Sequence, residues 1–252
     1  MVAVRLLQIT WLGHATVLIE ADGARLLTDP VLRDRIGPLV RIAPSVARGT
    51  LGRVDGVLLS HLHADHVDLR SLREIARDIP VLAPHPAATW LARQGLRDVR
   101  DVKPGSELRI GGALVKATHA DHDGSRRPLG PVAQPVGYVI GGSRAVYFAG
   151  DTDLFDGMAG LSGSIAAALL PVWGWGPTLG PGHLDPERAA AATALIAPEV
   201  AIPIHWGTFA LGWPAKRPPD PERPAREFER MVRRQTPAVA VRVLAPGQRT
   251  TI

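Results

Sequence analysis

Apolar and polar positions along this chain predict short strands interrupted by brief helices. Two apolar runs, residues 15–20 and 24–28, flank Asp22-Gly23. They read as a hairpin, because an Asp-Gly pair supplies the positive-φ turn that two twisted strands need. Residues 57–60 form a buried strand. Beyond it Asp68 is placed as an N-cap, with Leu69, Leu72, Ile75 and Ala76 on one helical face. A short strand follows at 81–83, then a helix over 87–94 stopped by Gly95.

The second half repeats the theme. Residues 108–118 and 136–149 read as strands, with turns at Gly111-Gly112 and Gly141-Gly142. Residues 166–172 and 200–204 are buried strands. Between them Asp185-Pro186-Glu187 opens a helix through residue 196, with Asp as cap and Pro in the first turn. A charged helix at 221–234 and a last strand at 239–244 close the chain. Strand-rich halves, each with helices, predict an α/β (α+β) fold of two mixed sheets packed together with helices outside. No fixed-period repeat is present. The Pro-rich stretch 214–224 reads as a surface connection, so residues 1–252 are expected to form a single domain.

Composition narrows the class without naming it. With 252 residues, 46% apolar and 21% charged, the chain can bury a sizeable core, so a metal would serve chemistry more than folding. No Cys is present, which excludes disulfides and thiolate catalysis. The first seven residues carry Arg5 and lack the regions of a signal peptide, and no apolar run reaches spanning length. A cytoplasmic location is therefore expected. The net charge of +5 comes from dispersed Arg without aromatic interleaving, so no nucleic-acid partner is expected.

The chemistry is concentrated in HLHADH, residues 61–66, directly after an apolar strand. In an extended segment residues two apart point the same way, so His61 and His63 can grip one ion. Asp65 and His66 follow after a turn and suit a second. Imidazole and carboxylate fit zinc, manganese or iron. Three further segments bring ligand types to strand ends: 115–127 with His119 and His122, 145–155 with Asp151, and 200–209 with His205.

HLHADHVD, GDTDLF and PIHWGTF, in that order, resemble the metallo-β-lactamase superfamily. WLGHATVLIEADGARLLTDP and HLDPERA are similar to the branch holding ascorbate-6-phosphate lactonase and N-acylphosphatidylethanolamine phospholipase D. The resemblance implies a four-layer αββα sandwich with two divalent ions, zinc first, with Mn2+ or Fe2+ as alternatives. It implies that His61, His63 and a third His hold one ion; Asp65, His66 and His205 hold the other; and Asp151 bridges. The family register selects His122 as the third His, with His119 the alternative. Asp29 matches a position that orients a ligand His. His14 either faces the site or serves the hairpin. His183 matches a substrate-contacting His, or else caps its helix. Trp173, Trp175, Trp206 and Trp213 cluster near the later ligands; Trp173 and Trp175 stand on a Gly- and Pro-rich loop over the cleft, where they wall it for substrate or pin the loop down.

The implied activity is hydrolysis of a small ester, a lactone or phosphodiester, by a hydroxide that two metals activate. Asp65 is the expected proton relay and His183 the expected substrate contact. The alternatives are a mononuclear iron oxygenase on the same fold and a nuclease.

Overall fold

Each half of the chain starts as an antiparallel meander and then switches to parallel pairing. A computed structural model describes residues 7–126, 130–142, 144–212 and 220–252. Trp213 and most of the Pro-rich connection lie outside those residues. The first half runs β1 (Gln8–Gly13), β2 (Thr16–Ala21), β3 (Ala24–Thr28), β4 (Arg35–Ile36), β5 (Leu39–Arg41), β6 (Gly56–Leu58), α1 (Leu69–Ile75), β7 (Val81–Pro84), α2 (Ala88–Arg93) and β8 (Val99–Val102). It continues with β9 (Glu107–Ile110), β10 (Ala113–His119), β11 (Val136–Ile140), β12 (Ala145–Phe148) and β13 (Ile165–Pro171). Then come α3 (Pro186–Ile196), β14 (Val200–Ile204), β15 (Phe209–Leu211), α4 (Arg223–Gln235), β16 (Ala240–Val241) and β17 (Arg249–Thr251).

Among the described residues these strands form two seven-stranded sheets, β17-β1-β2-β3-β6-β7-β8 and β16-β14-β13-β12-β11-β10-β9, and a small sheet β15-β5-β4. Pairing is antiparallel through β1-β2-β3 and parallel from β3 to β8. The second sheet is antiparallel through β9-β10-β11-β12 and parallel onward to β16. The repeat is one of topology, with no periodic sequence behind it.

Strand periodicity builds the layers. In β2, Val17 and Ile19 enter the core between the sheets, while Leu18 points to the other face and packs with Leu72 and Leu91 of α1 and α2. Around β6, Leu58 faces inward and Val57 and Leu59 outward. A strand covered on both faces needs an unbroken apolar run, which 57–59 supplies. Each such Leu or Val contributes roughly 1.5–3 kcal/mol by leaving water. On the second sheet, Ala189 and Ile196 of α3 and Phe228 and Val232 of α4 cover the outer face. The order is helix, sheet, sheet, helix: the expected αββα sandwich. No described helix is long and apolar enough to cross a membrane.

Local signals fall where the sequence puts them. Asp22 (φ 50) and Gly23 (φ 80) make the hairpin turn. Asp68 and Asp185 accept from the backbone N–H of Ser71 and Arg188 and so cap α1 and α3, each worth about 1 kcal/mol. The closing strand corrects the expectation. Only Ala240–Val241 pairs within 239–244, parallel to β14, and the chain then crosses to the other sheet. There β17 pairs with β1 as an edge strand. Its Arg-Thr-Thr sequence has no apolar alternation to announce it. β1, β8 and the small sheet were likewise not predicted.

Candidate metal centre

The parallel strands deliver the candidate ligands from their carboxyl ends. His61, His63, Asp65 and His66 leave β6, Asp151 follows β12 and His205 follows β14. The segment after β10 is tied to the one after β12: Asp121 N–H donates to Thr152 Oγ1 at 2.9 Å, and Asp153 N–H to the Asp121 carbonyl at 2.8 Å. That tie carries His122 inward. Arg126 holds the same segment to the His cluster by donating to the carbonyls of Leu62 (2.7 Å) and Val67 (3.1 Å).

Among the described residues, two of the donor groups that result use the ligands expected from the sequence. His61, His63 and His122 form one, with His122 Nε2 3.2 Å from His63 Nδ1. Asp65, His66 and His205, with His14, form the other. Asp151 reaches both: its carboxylate lies 3.3 Å from Nε2 of His66 and of His205, and it groups with His122 and His183. His119 is exposed, edge-on to Phe155 at 4.8 Å, and belongs to neither group.

Hydrogen bonds on the far side of each ring decide which nitrogen faces inward. His66 Nδ1 donates to Asp29 Oδ2 at 2.8 Å, His205 Nδ1 to the Trp173 carbonyl at 2.6 Å and His122 Nδ1 to the Gly182 carbonyl at 2.6 Å. Those partners only accept, so each neutral ring keeps a bare lone pair on Nε2. Ser60 Oγ donates its one proton to Asp29 at 2.5 Å, and so accepts from His61 Nδ1 at 3.0 Å. His61 Nε2 is left buried without a hydrogen-bond partner. Nε2 of His66 faces Nε2 of His205 at 3.1 Å. Ring nitrogens converging on a carboxylate in this way make a pocket that favours a positive charge, whether a proton or a metal ion. The donor set, imidazole and carboxylate, fits a divalent cation of the zinc, manganese and iron type.

Electrostatics point the same way. Burial drives the His61 imidazole well below its ordinary value, and it also lowers His63, His122 and His205. Burial works against charge on Asp151 and Asp65, yet the surrounding imidazoles hold both carboxyls well below the usual range. Burial likewise opposes charge on His66, but Asp151 and Asp65 lift it well above the ordinary value. His66 thus takes a proton in a pocket shaped for a cation.

The loop after β13 supplies more than its carbonyls. Trp175 Nε1 donates to Asp65 Oδ2 at 2.9 Å, and Trp173 Nε1 pins the loop through the Gly176 carbonyl at 3.1 Å. Trp206 instead is core, packed on Trp11 at 4.8 Å. A cavity of about 340 Å³ opens over the donors, lined by Asp65, Asp151, Ser125, Trp175, Leu179 and His183. His183 Nε2 lies 3.5 Å from Asp151, while its Nδ1 meets the Gly180 and Pro181 carbonyls. The cap of α3 is Asp185, not His183. His14 is buried, its pKa lowered to about 3 by burial and by His205. Among the described residues, three of the five non-glycine residues with positive φ sit here: His14 (53°), Asp29 (34°) and His205 (64°). Such strain gathers at functional sites. Sequence reasoning missed Ser60 and the carbonyls of Trp173 and Gly182. Ser60 was legible as the neighbour of His61, whereas a carbonyl has no residue type to signal it.

A family model described as a beta-lactamase superfamily domain matches residues 24–206. The chain belongs to the metallo-β-lactamase superfamily. A protein of Methanopyrus kandleri called a UPF0173 metal-dependent hydrolase is 34% identical over 251 residues, covering 96% of this chain and 98% of its own. Igni18, described as a novel metallo hydrolase of Ignicoccus hospitalis, is 25% identical with a TM-score of 0.76, covering 98% of each chain. CmlA, a diiron beta-hydroxylase of Streptomyces venezuelae, shares the fold at 20% identity and a TM-score of 0.71, covering 98% of this chain and 53% of its own.

Proposed function

We propose that this chain is a metal-dependent hydrolase that holds two divalent ions and cleaves a small ester, a lactone or a phosphodiester. The observation that carries the reading is the position of Asp151, within reach of two separate groups of inward-facing donors. On this reading His61, His63 and His122 hold one ion, Asp65, His66 and His205 the other, and Asp151 serves both. Zinc is the first choice, with manganese or iron as alternatives. Ions bound there supply an acidified water and charge stabilisation for ester cleavage.

The chain's own groups do the rest. Trp175 and Leu179 form an apolar wall for the substrate body beside the donors. His183 turns Nε2 toward Asp151 at the cavity wall; burial opposes its charge, but Asp151 raises its pKa, and the imidazolium so favoured can give a proton to a leaving oxygen. Asp65 is the second proton-handling group, held in the cavity wall by Trp175. The ester class is supported by the resemblance to the lactonase and phospholipase D branch, and hydrolysis by the name of the Methanopyrus kandleri relative.

Assay of the purified protein on bis-p-nitrophenyl phosphate and a lactone panel, before and after chelation, tests the reading. Turnover that chelation abolishes and zinc restores is expected, with the panel choosing the ester class. Iron-dependent oxygen uptake without ester turnover would instead move the chain to the oxygenase reading.

A further inference from the structure

We propose that His14 is a positioning residue of the second donor group, fixing both Asp65 and His205 from the first hairpin. The inference rests on the reading of Asp65, His66 and His205 as ligands of one ion.

His14 stands in the turn between β1 and β2, just past a register shift between Trp11 and Gly13. Irregularities of this kind re-aim a side chain. Its φ of 53° is a conformation that penalises any residue with a Cβ. The turn sits flush on its neighbours, since a Cβ on Gly13 would meet Arg41 Nη1 and Thr208 Cγ2 at 3.0 Å.

Every polar backbone group of His14 is engaged. Its N–H donates to Thr208 Oγ1 at 2.7 Å, and its carbonyl accepts from Trp11 Nε1 and from the His205 N–H, both at 2.9 Å. Its ring lies against that of His205, centroids 3.8 Å apart, with the Phe209 ring edge-on at 5.3 Å. With 1% of the side chain exposed, the imidazole has no other place to go.

From that seat Nε2 reaches Asp65 Oδ2 at 3.0 Å. An ionised carboxylate only accepts, so His14 Nε2 carries the proton and donates. It is therefore an orienting group, although it stands beside the ligand atoms of Asp65, His66 and His205. Trp175 Nε1 grips the same oxygen from the loop side. Asp65 Oδ2 is thereby held between a buried donor and a loop donor. Hydrogen bonds of this outer kind typically change metal affinity 10–100-fold.

Stepwise zinc affinities, measured by chelator competition on the wild type, H14L and H14Q, test the proposal. In H14L the second zinc is expected to weaken about 10–100-fold while the first is unchanged. H14Q, whose amide N–H replaces the Nε2–H donor, is expected to recover most of the loss. Both affinities unchanged, or both falling equally without rescue by Gln, would overturn the proposal, since a packing role affects the two alike. A wild type that takes up one zinc overturns the two-ion reading and this inference with it. Two zincs with H14L unchanged overturn this inference alone. If H14L does not fold, nitrogen-15 NMR of the zinc-loaded wild type decides. A proton on His14 Nε2 is expected, and a bare or metal-bound Nε2 contradicts the proposal.

Discussion

Asp29 accepts from Nδ1 of His66 at 2.8 Å, and the same oxygen takes the Ser60 hydroxyl whose own acceptor side meets His61. One fully buried carboxylate therefore sets the tautomers of a His in each donor group. Asp29→Ala is expected to weaken both zincs about 10–100-fold. Breaking the buried pair also destabilises the metal-free fold by about 3–5 kcal/mol. Ser60→Ala is expected to weaken only the ion held by His61. Chelator competition and denaturant unfolding of the two variants measure these effects, and equal losses in Ser60→Ala would contradict the assignment.

The two sites should differ in protons released. Burial keeps His61 and, less strongly, His63 and His122 below their ordinary value, so they are neutral at pH 7. His66, lifted by Asp151 and Asp65 against the opposing effect of burial, holds a proton there. Filling the second site must expel it. Zinc titrations in buffers of different ionisation enthalpy are expected to show about one more proton released by the second ion than by the first. Because the folded pKa of His66 is raised, second-site affinity climbs with pH until that pKa is passed and then levels off. Below it, affinity falls about tenfold per pH unit. Equal proton release for both ions would contradict this.

Gly150 brings the β12 ligand loop against the β6 loop. Its φ is +64°, and a Cβ there would stand 2.5 Å from Ser60 Cβ and 2.9 Å from Ser60 Oγ. Gly150→Ala is expected to cost about 2–5 kcal/mol, backbone strain and overpacking combined. Gly163, φ +83° with open space around its Cβ position, is the control. Gly163→Ala should show only the strain, about 1–2 kcal/mol. Denaturant unfolding compares the two, and equal costs would show that the contact with Ser60 is unimportant.

The candidate site was legible in outline because its side chains carry the signal. His61, His63 and His66 sit at metal-ligand spacing after a doubly covered strand, and Asp151 and His205 end apolar strands with no other call for a polar terminus. The caps Asp68 and Asp185 and the Asp22-Gly23 turn were legible for the same local reason. What escaped depends on distance in the chain or on backbone atoms. β17 pairs with β1 across nearly the full length of the chain through the polar sequence Arg-Thr-Thr. The carbonyls of Trp173 and Gly182 orient His205 and His122 whatever side chains those positions bear. From sequence His14 is as fit for a turn as for the site; its 3.0 Å contact with Asp65 and its ring packed on His205 separate the two.

Zinc bound per chain at saturation, by elemental analysis of untagged protein after removal of loosely held metal, tests the two-ion account most directly. The account predicts two zinc ions per chain in the wild type. A single ion at saturation would contradict it.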